Sequence, residues 1–138
     1  PHWQMDRKAS ITGLSFASNK HHIVRAALES IPYQIKDVIV AMEKDAGIPL
    51  KVLNADGGIT ANEFVVQMIA DVLKKELALI GMPDVSALGA ALLAGLKAGV
   101  FESLDALKQI QTDKKMIHPV DATAALKQYQ EWQKVINV

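Results

Sequence analysis

Residues 54–64, NADGGITANEF, join an apolar run, PLKVL (49–53), to a helix-patterned run, VVQMIADVL (65–73). In the first run and its continuation Leu50, Val52, Leu53 and Ala55 are apolar, bounded by Pro49 and by Asp56-Gly57-Gly58. That pattern reads as a short strand buried on both faces. In the second, Thr60 and Glu63 have the spacing of a capping box, and Ala61, Val65, Met68, Ile69 and Val72 recur as one face of a helix. The junction is therefore a strand that turns directly into a helix, and it spends two of the chain's eight glycines side by side on that turn.

Strands and helices alternate outward from this junction. Upstream, Ile23, Ala27, Ile31, Ile35, Val38 and Met42 follow steps of three and four, a helix of about seven turns. Ser18 or Asn19 is placed to cap its start, and Gly47 and Pro49 to stop it. Pro32 lies inside it and removes a backbone donor at a cost of roughly 3 kcal/mol, so a kink or break is expected there. Residues 9–14, ASITGL, alternate as the last residues of a strand would.

Downstream, ELALI (76–80) reads as a second strand and Gly81-Met82-Pro83-Asp84 as a turn. SALGAALLAGLKAGVF (86–101) reads as a third helix, with Leu88, Leu92 and Leu96 in one stripe. The small residues beside that stripe predict close packing by another element. SLDALKQI is a short helical piece, TDKKMIHP a polar connector, and residues 121–138 a terminal helix with Ala125, Tyr129, Trp132 and Ile136 facing inward. This order implies an α/β fold with a short parallel sheet and crossover helices, in one structural unit.

The composition narrows the function classes. The chain has 138 residues, half of them hydrophobic, enough for one domain with a sizeable core. Fifteen Lys and Arg balance fifteen Asp and Glu, so no basic field favours nucleic acid. The absence of cysteine excludes disulfides and thiolate metal sites. No apolar stretch reaches the roughly 18 to 20 residues of a membrane span, so a soluble, cytoplasmic protein without a membrane partner is expected. The opening residues, PHWQMDRKAS, look like neither a signal nor a tag and suggest a piece of a longer protein.

Chemistry concentrates at the glycine turn. Glycines at a helix start, beyond the carboxyl end of a strand, let phosphate oxygens approach the backbone; they equally permit an ordinary tight turn. The stretch is neither the dinucleotide fingerprint nor a P-loop. Asn62, in the first helical turn, is placed to face a base, and Gln67 lies farther along. Asp56 suits support of the turn, or placement of a hydrated metal ion. His21 and His22 are adjacent and cannot grip one metal from a helix face. Glu29, Asp37, Glu43 and Asp45 read as a helix surface, leaving no acid–base pair and no catalytic residue.

Two segments together resemble a known family. ASITGLSFASNKHHIVRAALE (9–29), with Gly13-Leu14, His22-Ile23 and Ala26-Ala27-Leu28-Glu29, is similar to the C-terminal signature of the FGGY carbohydrate kinases. Residues 30–73 continue the likeness through the long helix, strand, Asp-Gly-Gly and Asn-containing helix, and residues 84–101 resemble the family's closing helix. ALESIPYQ and DVSALGAA are most similar to the branch that phosphorylates glycerol, although Pro32 and SFASNK depart from its wording.

The resemblance implies a partial actin-like (ribonuclease-H-like) ATPase fold, with residues 1–138 as the C-terminal part of the family's C-terminal domain. It implies ATP or ADP and Mg²⁺ as ligands, with the γ-phosphoryl moved to a sugar or polyol hydroxyl. By position, Gly57 and Gly58 would contact the nucleotide through their backbone, Ile59 would pack beside the base, and Asn62 would reach the adenine. The sugar site and catalytic base would lie in an N-terminal domain outside this chain, which alone would be inactive. The alternative is an actin-like binding module without catalysis. An exposed sheet edge would favour a homo-oligomer.

Overall fold

A computed structural model describes residues 6, 8–81, 84–108, 110 and 113–136. Helix α1 (Lys20–Ala46) is followed by β1 (Val52–Ala55), a 3₁₀ turn (Gly58–Ala61) and α2 (Glu63–Leu73). Then come β2 (Glu76–Ile80), α3 (Val85–Lys97), α4 (Leu104–Lys108), β3 (Lys114–Ile117) and α5 (Ala122–Ile136). The sheet order is β1-β2-β3. β1 and β2 are parallel and joined by the α2 crossover, as expected; β3 runs antiparallel to β2, so the sheet is mixed.

Helix α1 begins where Asn19 caps it, its side chain accepting from the His21 N–H while His22 Nδ1 accepts from the Asn19 N–H. It continues through Pro32 to Gly47 without a break. Pro32 is buried, and packing against the core holds the helix together where one backbone bond is lost. Residues 9–14 form no strand. A strand needs a neighbour for its N–H and C=O groups, and none of the described residues pairs with this stretch, where Ile11 and Leu14 stay exposed. SFASNK instead builds the helix entry, with Ser15 and Ser18 bonded reciprocally at 2.9 Å.

The core centres on α2, of whose residues Val65, Val66, Met68 to Leu73 are buried. α1 and α5 flank it, and β2 lies beneath. Leu53, Leu77 and Ile117 stand in one row across the three strands, facing this core. β1 is covered on that face only: Val52 and Asn54 are exposed, contrary to the expected two-sided burial. The TDKKMIHP segment is not merely a connector, because Lys114–Ile117 pairs as an edge strand, a place where outward lysines are favourable. No residue of α3 is buried. Its close neighbour is local: a methyl at Gly95 would lie 2.7 Å from the Phe101 ring. Met82 and Pro83 of the expected turn lie outside the described residues, while Asp84 caps α3 by accepting from the Ala87 N–H at 2.9 Å.

Polar groups lock the helices together. The Tyr33, Tyr129 and Trp132 rings cluster with centroids 5.4 to 6.0 Å apart. The Tyr129 hydroxyl donates to Asp37 and accepts from Gln133 Nε2 at 2.7 Å. Asp37 is thus buried rather than part of a solvated helix surface. Glu43 is not simply solvated either: it accepts from the Leu50 N–H at 2.6 Å and pairs with Lys75 at 2.9 Å, which holds its carboxyl below the usual range. Lys75 also donates to the Leu50 carbonyl, and Lys36 to that of Val72.

Two outcomes follow from this packing. Tyr129→Phe keeps the ring and deletes the donor to Asp37, and is expected to cost about 1–3 kcal/mol in urea unfolding; a loss below about 0.5 kcal/mol would contradict the buried bond. Burial, with the Glu29 charge adding, raises the Tyr33 phenol to about 12. Burial and the Asp37 contact raise Tyr129 as well. Because both folded values exceed the ordinary phenol value of about 10, this stabilisation is complete below pH about 10 and lost as pH climbs through the folded values. Urea midpoints should therefore fall between pH 10 and 12, and fall less in a Tyr33→Phe variant.

Candidate functional site

The turn from β1 to α2 leaves the carboxyl end of the sheet at Ala55. Gly57 adopts φ 92° and ψ 172°, a conformation that costs a residue with a Cβ about 1–3 kcal/mol. Its carbonyl is held from two sides, by the Thr60 N–H at 3.0 Å and the Thr60 hydroxyl at 2.7 Å. The bonds that fix the turn therefore come from Thr60, the role expected of Asp56. Gly58 differs from its neighbour. Its φ is not positive, and a methyl added there would meet no atom within 4 Å. Among the described residues nothing requires glycine at this position.

The 3₁₀ turn brings the four candidate residues onto one short rim. Ile59 is 41% exposed, an apolar side chain left uncovered beside the glycines. Asn62 starts α2, with Oδ1 accepting from the Val65 N–H at 3.2 Å and its carbonyl from Val66 at 3.1 Å. The helix thus begins two residues later than the Thr60–Glu63 spacing suggested, because Thr60 is committed to the Gly57 carbonyl. With Oδ1 occupied, the Asn62 amide is oriented, and its Nδ2 hydrogens are the end available to a ligand.

Gln67 does not join this rim. Its Nε2 donates to Asp71 at 3.1 Å and to the His118 carbonyl at 2.9 Å. The same Asp71 oxygen accepts from the Val120 and Asp121 N–H groups at 2.6 and 3.2 Å. Gln67 and Asp71 therefore tie the β3–α5 connection to α2. Their signal in the sequence is two polar residues four apart within a run that is otherwise apolar. A cleft of about 610 Å³ opens along the same side of α2, with Arg25 over the Phe64 ring at 5.2 Å. Neither glycine lines it.

Among the described residues, no three His, Cys, Asp or Glu side chains converge to hold a metal ion. None of the described helices is long and apolar enough to cross a membrane. The glycine rim presents bare backbone, the apolar Ile59 and the amide of Asn62, with the exposed carboxylate of Asp56 in the same turn; none of Gly57, Gly58, Ile59 and Asn62 is itself an acid, a base or a nucleophile.

Comparison with known proteins agrees with this architecture. Residues 1–98 match the sequence model for the C-terminal domain of the FGGY family of carbohydrate kinases. The chain is 40% identical over 138 residues to glycerol kinase of Shewanella frigidimarina, an overlap of 99% of this chain and 28% of that protein. Its fold is similar to the crystal structure of Plasmodium falciparum glycerol kinase with ADP, at TM-score 0.83 and 35% identity over 99% of this chain and 28% of the other. It is also similar to xylulose kinase from Rhodospirillum rubrum, at TM-score 0.70 and 27% identity over 96% of this chain and 27% of the other. The chain thus spans about 28% of the length of the curated relatives it matches. Its α/β architecture is that of the actin-like sugar kinases, and with its first 98 residues matching the C-terminal domain, the chain belongs to the FGGY family of carbohydrate kinases.

Proposed function

We propose that this chain is the nucleotide-binding portion of an ATP-dependent carbohydrate kinase, which moves the γ-phosphoryl of ATP to a hydroxyl of a sugar or polyol. Residues 1–138 would form the C-terminal part of its C-terminal domain, with the sugar site and catalytic base in an N-terminal domain of the same protein. Glycerol is the first substrate to test, because relatives about 40% identical to this chain are glycerol kinases. The cytoplasm, which supplies ATP, is a compartment consistent with this reading.

The observation that carries the reading is Gly58. Gly57 is glycine because the backbone demands it, but at Gly58 a side chain would enter open space. A bare backbone there is useful only to something that is not part of this chain. A nucleotide fits the rim: its phosphates or ribose would lie against Gly57 and Gly58, its base beside Ile59. Asn62 Nδ2 would donate to a ring nitrogen of adenine, while Oδ1 stays with Val65. The P. falciparum glycerol kinase with ADP shares this fold over 99% of the chain, which supports the assignment.

These residues bind and orient; they move no proton. Phosphoryl transfer depends chiefly on positioning between reactants, so the second domain must bring the hydroxyl to the nucleotide. Mg²⁺ would accompany the phosphates, and no cluster of three His, Cys, Asp or Glu among the described residues would hold it.

Two variants separate the glycines. Gly57→Ala is expected to lower stability by about 1–3 kcal/mol through strain. Gly58→Val should leave the melting temperature within about 2 °C and weaken ADP binding at least about tenfold, close to 1.4 kcal/mol, as read by calorimetry. Unchanged ADP affinity in Gly58→Val would remove the basis of the assignment. Asn62→Asp keeps the cap acceptor, since Asp and Asn cap about equally well, but deletes the Nδ2 donor. It should melt as the unaltered chain does and bind ADP more weakly; equal affinity would show that the amide does not reach the base.

A further inference from the structure

Lys114 stands at the same end of the sheet as the glycine turn. In β3 it pairs with Ile80, the last residue of β2, and Asn54 lies one residue from the end of β1. Side chains alternate along a strand. Since Lys115 reaches Glu63 of α2 at 4.0 Å, Lys114 projects from the opposite face. Its ammonium reaches across β2 from its place beside Ile80 and donates to Asn54 Oδ1 at 3.3 Å. From Asn54 the chain runs through Ala55 and Asp56 to Gly57.

The partner of Lys114 is uncharged, as is that of Lys36, which donates to the Val72 carbonyl. Arg25, Lys75, Lys108, Lys115 and Lys134 each have a carboxylate within 4.0 Å. Lys114 is held by an uncharged amide, which fixes its position without neutralising it. Acids also lie at this end of the sheet: Asp56 in the turn and Asp113 beside Lys114 itself. A nucleoside diphosphate approaching Gly57 and Gly58 would meet those charges, and Lys114 is placed to oppose them.

We infer that Lys114, steered across the sheet by Asn54, is an electrostatic binding residue for the phosphate groups of the nucleotide at the Gly57–Gly58 turn. This rests on the nucleotide reading given above. Because the side chain is exposed, its influence is a field over several ångströms rather than a buried contact, and added salt must weaken it.

Calorimetric titration of the chain with ADP, AMP and adenosine, for the unaltered protein, Lys114→Met and Lys114→Arg, tests the inference. Lys114→Met should weaken ADP about three- to tenfold, AMP less, and adenosine not at all. Lys114→Arg should restore most of the ADP affinity, and the difference should shrink between 50 and 500 mM NaCl. Equal losses for all three ligands would show that Lys114 only braces β3 against β1, and an unchanged ADP affinity would show that its charge is not felt; either overturns the inference. If the unaltered chain binds ADP no better than the Gly58→Val variant, the nucleotide site itself is refuted, and this role of Lys114 with it.

Discussion

Helix α2 is enclosed by α1, α5 and the sheet, and among the described residues it makes the most extensive packing outside the strand ladders. Val65, Ala70 and Val72 have no exposed surface, and from Val65 to Leu73 only Gln67 escapes burial. Each such Val, Ile, Leu or Met contributes about 1.5–3 kcal/mol when taken out of water, in a class of structure whose net stability is about 5–15 kcal/mol. Sliding α2 along its axis would forfeit several of these burials together. Its first residue is therefore held where the core puts it, and the chain between Ala55 and Asn62 has one short path to follow. The site inherits its geometry from packing that never touches a ligand.

That short path explains why the two glycines have different physical origins. To leave β1 and meet Asn62, the backbone passes through a conformation at Gly57 that only glycine adopts cheaply, and Thr60 fastens the result. Once the turn is made, no further glycine is needed by the fold. The open space at Gly58 and the exposed Ile59 beside it are then features without an internal cause. An isolated Asp-Gly-Gly could not make this distinction from sequence, because both glycines look alike until the backbone angles are known.

Elements with a strong local pattern were legible. Of the two candidate caps Asn19 is the one used, Val65, Met68, Ile69 and Val72 face the core from α2 while Ala61 lies exposed in the turn before it, and Ala125 and Tyr129 of α5 are buried as their spacing suggests. What escaped was set by distant neighbours. Lys114–Ile117 carries two lysines and reads as a connector, yet it pairs with β2 because β2 has an open edge. Asp37 sits among surface-like residues of α1, but Tyr129, 92 positions away, makes its burial tolerable. The strand expected at 9–14 had the right alternation and no partner among the described residues. Of the kink or break expected at Pro32 the break does not occur, because burial against the core outweighs the lost bond. At the site itself, Asn62 was found for its amide, whereas its capping of α2 emerged only when Thr60 proved to be engaged elsewhere.

The cleft along α2 encloses about 610 Å³, and size alone would make it a candidate for a ligand. Its polar groups argue otherwise. Gln67 and Asp71 spend their hydrogen bonds on each other and on the β3–α5 connection, and Arg25 is shared between Glu29 at 2.7 Å and the Phe64 ring. A polyanion entering there would have to break those contacts, and the acids Glu63, Asp71 and Asp121 on the walls outnumber the cations Arg25 and Lys115. At the rim the space beside Gly57 and Gly58 is open. Removing partnered donors from a network costs more than the new bonds return, so a phosphate-bearing ligand is favoured where the chain has left its backbone bare.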